Sequence, residues 1–376
     1  MFESTIKLAD SFLEMGVPGY DLMICKDGKC VLRHMGGYAD LENKIPVKGD
    51  EKYDIYSCSK PITCTAALQL WEKGLFRLED KLSDYMPEFA EMYVQTENGV
   101  QKAQNPILIK HLFEMTAGFS YALNSPALLE CHHATNGRCP TRETMRYLAK
   151  EPLLFEPGTQ WRYSLCHDVL AALVEVLSGQ KFETYVKEHI FDPLGMHDST
   201  FLPTQEERNS IACKYRFNQE NGKTELHTAE NIYRLGSEYA SGGAGCISTV
   251  DDYMKFLEAI RVGDVILKKE TIQLMATDRL SEQQKQTYTV KDTRGYGLGV
   301  RTPKQGNPHT EFGWGGAAGA YLAIDIPNGV SIFYAQHLLA APNQGDREDL
   351  YSCVFAQLHG HDAVIEKTPK NYKETY

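Results

Sequence analysis

The period of the apolar positions changes twice along this chain, and the changes outline a fold. Residues 20–25 and 30–34 read as two short, mostly apolar strands on either side of Asp27-Gly28, which predicts a hairpin with a tight turn between Lys26 and Lys29. Beyond residue 60 the apolar residues recur at helical spacing. Ile62, Ala66, Ala67, Leu70 and Trp71 predict a helix from Pro61 to a stop at Gly74, and related patterns cover 109–115, 141–150, 168–177, 182–190 and 250–260. Strand patterns return at 297–302, 320–326 and 330–336, the last two joined by Pro327-Asn328-Gly329. This order predicts an α+β protein: a mostly antiparallel sheet built from N- and C-terminal strands with flanking helices, plus a helical lobe. We expect residues 1–60 and 257–376 in the sheet lobe, 61–256 in the helical lobe, and a site in the cleft between them. At 376 residues the chain exceeds the ~250–300 at which one core stops growing.

Composition narrows the function classes. Hydrophobic content of 42% and charged content of 24% are those of a water-soluble globular protein, and no stretch is long and apolar enough to span a bilayer. The balance of 39 basic and 50 acidic residues, net charge -11, comes without any Lys/Arg-rich block and disfavours nucleic acid as a partner. The first ten residues lack a basic start followed by an apolar core, so no secretory signal is expected. Ten cysteines without a repeated spacing read as reduced thiols, which points to the cytoplasm. Cys131, His132, His133 and Cys139 carry zinc-type donors but lack paired Cys-x-x-Cys spacing, so no metal is assigned.

Candidate chemistry begins at Ser57-Cys58-Ser59-Lys60, at the mouth of the helix that Pro61 opens. Serine and lysine three residues apart at a helix start share one face, so a nucleophile lies beside a candidate base. The tetrapeptide pattern also occurs at Ser4 to Lys7 and Ser178 to Lys181, where the bland reading, a helix cap or chance match, suffices. Two further segments distinguish Ser57. Tyr163 stands at the boundary between the Glu156-Pro157-Gly158 turn and the helix expected at Asp168, while 311–319 is glycine-dense just before a strong strand, where backbone can approach a ligand closely. Asp168 reads as that helix's N-cap.

Taken in order, Ser57-x-x-Lys60, Tyr163-Ser164-Leu165 and Trp314-Gly315-Gly316 resemble the three motifs of the serine β-lactamase and penicillin-binding-protein superfamily. The chain looks nearest to class C β-lactamases and their esterase relatives, the family VIII type. Supporting phrases include Lys73-Gly-Leu-Phe-Arg-Leu-Glu-Asp80, Ile190-Phe-Asp-Pro-Leu-Gly-Met196 and the run from Ser241 to Thr249. The resemblance implies Ser57 as nucleophile, Lys60 and Tyr163 as its proton-handling partners, and the backbone N–H groups of Ser57 and Ala317 as an oxyanion site. It further implies that Trp314, Gly315, Gly316, Leu165 and Tyr121 lie around the substrate, with His132 and His133 at one rim; His167, just after the tyrosine motif, reads either as a further substrate contact or as a structural hydrogen bond. No cofactor is required by such a mechanism.

The chemistry follows independently of the name. Free tyrosine and lysine titrate near ~10 and ~10.4, so neither is a base alone; an ammonium beside a phenolate favours the phenolate, and burial favours neutral lysine. Serine attack on a carbonyl would give an acyl-serine, released by water or by an alcohol. Leu165 stands where lactamases carry an amide-binding Asn, and Trp314 where they carry a carboxylate-binding Lys, so anionic and amide substrates lose partners. A small-molecule carboxylic ester is the favoured substrate. The alternatives are acyl transfer to a small-molecule hydroxyl, β-lactamase or D,D-peptidase activity, and a non-catalytic acylated sensor.

Overall fold

The computed structural model describes residues 2–303 and 306–361; the far end of the expected sheet lobe, 362–376, lies outside the described residues. Eight strands form one antiparallel sheet. Its order is Arg294–Tyr296, Arg301–Pro303, Phe312–Gly315, Tyr321–Asp325, Val330–Gln336, Gly19–Lys26, Lys29–Asp40 and Ile45–Pro46. N-terminal strands are thus zipped to C-terminal ones, with Tyr20 opposite Gln336 and Lys26 opposite Val330. The expected hairpin is present. Asp27 and Gly28 both have positive φ, 50° and 82°, the conformation that matches a two-residue turn to the twist of its strands.

Alternation within the central strands sorts two cores. Tyr20, Leu22, Ile24, Val330, Ile332 and Tyr334 face the helices Glu3–Glu14 and Asp349–Leu358 through Phe12, Leu350, Tyr351 and Val354. Phe333 and Ala335 face the opposite way, toward the helix Val250–Val262, where Tyr253 stacks on Phe333 at 4.2 Å. A strand covered on both faces is apolar at nearly every position, which is why 330–336 reads as one run.

Several boundaries differ from the sequence reading. The stretch 297–302 is a turn and part of a strand, because Gly297 and Gly299 lie in the connection between Arg294–Tyr296 and Arg301–Pro303. Phe312–Gly315 is a strand of its own; at Gly313 an added Cβ would stand 2.1 Å from the Leu322 carbonyl, so close strand packing explains the glycine that hid it. The segment 182–190 splits into a helix Phe182–Val186 and a wider turn Lys187–Phe191. Among the described residues no helix is long and apolar enough to cross a membrane.

Beneath the start of the helix Ser59–Glu72, segments distant in sequence meet at one buried charge. Asp54 accepts from Arg234 at 2.8 Å and from Lys214 at 3.4 Å, with His337 at 4.0 Å. Burial pushes the Asp54 carboxyl up, and Arg234, His337 and Lys214 more than offset it, so it stays below the usual carboxylate range. Removing one side of such a cluster strands the other charges away from water. Asp54→Ala is therefore expected to lose about 3–5 kcal/mol of stability in denaturant unfolding; an unchanged midpoint would show that the cations find water instead.

Candidate active site

Ser57 sits in the turn Tyr56–Cys58 that feeds directly into Ser59–Glu72. Tyr56 holds φ 46°, a left-handed conformation costly for a bulky residue, on the order of 1–3 kcal/mol. Neighbouring elements impose it. Tyr53–Asp54 pairs with Ile247–Ser248, the Ile55 N–H donates to Cys246 O, the Tyr253 hydroxyl donates to Cys58 O at 2.6 Å, and the Cys246 N–H donates to Ser59 Oγ at 2.9 Å.

Two groups converge on the Ser57 hydroxyl. Tyr163 OH donates to Oγ at 2.6 Å, and Lys60 Nζ donates to it at 3.2 Å. Lys60 is fully buried, also donates to Gly243 O at 2.7 Å, and lies 4.3 Å from the centre of the Tyr163 ring. Backbone bonds fix the tyrosine segment: the Arg162 N–H donates to Met115 O, and the Leu165 N–H to Ser120 O. Tyr121 stacks on the Tyr163 ring at 5.3 Å with 9° between planes, and Trp314 stacks on it at 5.8 Å with 18°. Tyr121, Tyr163 and Trp314 are each half-buried, so their rings form a partly open aromatic wall beside the hydroxyl.

Trp314 and Gly315 end the strand Phe312–Gly315, and the chain then turns through 316–319. A Cβ on Gly316 would stand 2.4 Å from Ile55 O, so only glycine lets this turn lie against the serine turn. Arg347, buried behind, donates to Gly316 O at 3.3 Å and Ala320 O at 3.2 Å and holds the turn there. Ala317, half-buried, lies in this same turn.

The structure therefore gathers Ser57, Lys60, Tyr163, Tyr121, Trp314, Gly315, Gly316 and Ala317. It does not bring His167 to the opening, and that expectation is corrected: the ring is fully buried, with Nε2 3.3 Å from Phe113 O and 3.6 Å from Cys64 Sγ. Leu165 is buried as well, as N-cap of the helix Cys166–Ser178. Asp168 is consequently not the cap; it stands inside that helix's first turn. His132 and His133 are exposed on the helix Pro126–Ala134, with Cys131 buried against Thr144. Among the described residues no group of three or more His, Cys, Asp or Glu side chains is placed to hold a metal ion. The sequence reading missed Gly243, whose carbonyl is a lysine acceptor, and Tyr233, edge-on to Tyr121 at 5.4 Å. The run Ser241-Gly-Gly-Ala-Gly was the available signal for the first.

The chain is similar in sequence and fold to known proteins. A profile of the family described as Beta-lactamase matches residues 6–351. The chain is 28% identical over 349 residues to Esterase EstB of Burkholderia gladioli, covering 85% of this chain and 86% of that protein. It is 30% identical over 242 residues to the ML-236A carboxylate methylbutanoyltransferase mlcH of Penicillium citrinum, covering 61% and 57%. Among solved structures, EstCE1, a hydrolase with promiscuous acyltransferase activity, superposes with TM-score 0.78 at 24% identity, covering 94% of this chain and 98% of that one. Unliganded simvastatin synthase LovD from Aspergillus terreus gives TM-score 0.77 at 23% identity, covering 95% and 97%.

Burial and the nearby Lys60 ammonium push the His167 imidazole down to about 3. Its ring should therefore stay neutral from pH 7 to pH 4, with an NMR titration midpoint below that range. A midpoint close to the free value of ~6.5 would return the ring to solvent and to the opening.

Proposed function

As the chain belongs to the β-lactamase family, a family of serine hydrolases with esterase and acyltransferase members, we propose that it hydrolyses carboxylic esters of small molecules through an acyl enzyme on Ser57. The observation that carries the reading is the convergence of Tyr163 OH, at 2.6 Å, and Lys60 Nζ, at 3.2 Å, on one serine hydroxyl. A purely structural serine has no use for two such partners.

In this reading Tyr163, as phenolate beside the Lys60 ammonium, takes the Ser57 proton as Oγ attacks the ester carbonyl. The N–H groups of Ser57 and Ala317 receive the developing oxyanion. Collapse of the tetrahedral species expels the alcohol, which takes its proton back from Tyr163. Water then repeats the sequence on the acyl-serine and releases the acid. Trp314 offers the substrate a flat apolar face and one N–H, and no charge. That wall suits an ester better than an anionic lactam.

A second reading, acyl transfer to a small-molecule hydroxyl, is favoured by the similarity to the methylbutanoyltransferase. It uses the same residues and differs only in what attacks the acyl-serine. The spacing of the ten cysteines, without a repeated pattern, supports a reducing compartment, the cytoplasm.

Hydrolysis of p-nitrophenyl butyrate is expected for the parent and should fall at least ~10³-fold in Ser57→Ala. Tyr163→Phe should lose about 10²–10⁴-fold with the fold intact. Intact mass should show a butyryl adduct on the parent only. Equal rates in parent and Ser57→Ala would remove Ser57 from the mechanism. With an added alcohol, product shifting from free acid to a new ester would favour the transferase reading.

A further inference from the structure

The helix Cys166–Ser178 carries a buried carboxylate that the proposed mechanism leaves unused. Asp168 is only 1% exposed. Its Oδ1 accepts from the Ser241 hydroxyl at 2.7 Å and from the Tyr239 hydroxyl at 2.9 Å. Its Oδ2 packs against Gly243, where an added Cβ would stand 2.7 Å from it. Asp168 therefore touches three residues of one five-residue stretch, 239–243. That stretch ends in the carbonyl that accepts from Lys60 at 2.7 Å.

Further bonds hold this stretch and the residue after it. Thr63 Oγ1, one turn beyond Lys60 on its helix, donates to Gly242 O at 2.7 Å. Asn231 Nδ2 donates to Ala244 O at 2.8 Å, and the Ala244 N–H donates to Ser241 Oγ at 3.1 Å. Burying a carboxylate is unfavourable, and burial does push the Asp168 carboxyl above the usual range, against the Ser241 hydroxyl, the Lys60 ammonium and the Tyr239 hydroxyl. A stability role alone could be filled by an apolar side chain. What an apolar side chain cannot do is hold two hydroxyls and a glycine at fixed places on one backbone segment.

We propose that Asp168 is a positioning residue for the reaction at Ser57: by clamping Tyr239, Ser241 and Gly243 it sets the carbonyl that holds Lys60 in line with Ser57 and Tyr163. The inference rests on the reading of Ser57 as nucleophile. Displacing a group in such a constellation by about 1 Å costs on the order of 100-fold in rate while leaving substrate contacts in place.

The test uses a fluorophosphonate probe, in which Ser57 Oγ attacks phosphorus, an O–P bond forms and fluoride leaves, so labelling by intact mass needs no natural substrate. Ester turnover is measured alongside. Asp168→Ala is expected to label and turn over about 100-fold more slowly, with KM within about twofold and circular dichroism unchanged. Asp168→Asn, whose amide oxygen still accepts from Tyr239 and Ser241, should recover most of that loss. Should Asp168→Ala not fold, Tyr239→Phe and Ser241→Ala decide the matter, each expected to slow labelling severalfold at constant KM. Parent rates in a folded Asp168→Ala, or in both hydroxyl variants, would overturn the proposal; so would a loss confined to KM. A parent that the probe does not label would instead overturn the nucleophile reading itself.

Discussion

A lysine ammonium with no exposure to water is the constraint around which this structure is arranged. Transferring such a group into the protein interior costs several kcal/mol unless hydrogen bonds and nearby negative potential replace the lost hydration. Lys60 receives that replacement from partners that include the Ser57 hydroxyl oxygen, the Gly243 carbonyl and the π face of Tyr163. Each comes from a different stretch of chain. Holding the ammonium therefore forces the serine turn, the 239–243 stretch and the tyrosine segment into one place.

Those stretches must then be fixed against one another, and buried polar groups do much of it. Asp54 with Arg234 and Lys214 ties the strand before Ser57 to segments far along the chain, and Arg234 Nη2 also donates to Gly245 O, two residues past Gly243. Arg347 secures the 316–319 turn from behind. At the sheet edge, Arg294 bridges Glu311 and Glu348, and Arg301 joins Glu348, so the two strands on one side of Trp314 are tied to the C-terminal helix region. Apolar packing of similar volume could stabilise these junctions as well, but directional bonds to named atoms fix register more tightly.

What could be read from the sequence follows from the same division. Ser57, Lys60 and Tyr163 announce themselves because side-chain type and spacing carry their chemistry, and Trp314 because aromatic and glycine stand together. Gly243 left only its glycine-dense run as a signal, since a backbone carbonyl has no side-chain signature. His167 was misread for a related reason: adjacency to Tyr163 in sequence says little about direction once a helix begins at Cys166, because successive residues on a helix point about 100° apart. The helices Glu3–Glu14 and Asp349–Leu358 were not anticipated although Leu8, Ala9 and Phe12, and Leu350, Tyr351, Cys353 and Val354, line single faces. Their partner is the second face of the sheet, and a sheet covered on both sides gives no alternation from which that second layer can be inferred.

Under the proposed ester hydrolysis, substrate choice becomes a question of which substrate atoms find partners. An ester presents a carbonyl oxygen and an ether-type oxygen, and its reaction asks chiefly for donors at the developing oxyanion. An amide brings in addition an N–H that, once buried, costs about 1–3 kcal/mol without an acceptor. The residue two after Tyr163 is a leucine packed into the interior, and the residue before Gly315 is a tryptophan rather than a cation. Neither supplies an acceptor for that N–H or a counter-charge for a carboxylate. On this reading discrimination against amides and anions comes from what the wall withholds, and discrimination among esters from how their flat or branched groups lie on the rings of Tyr121, Tyr163 and Trp314.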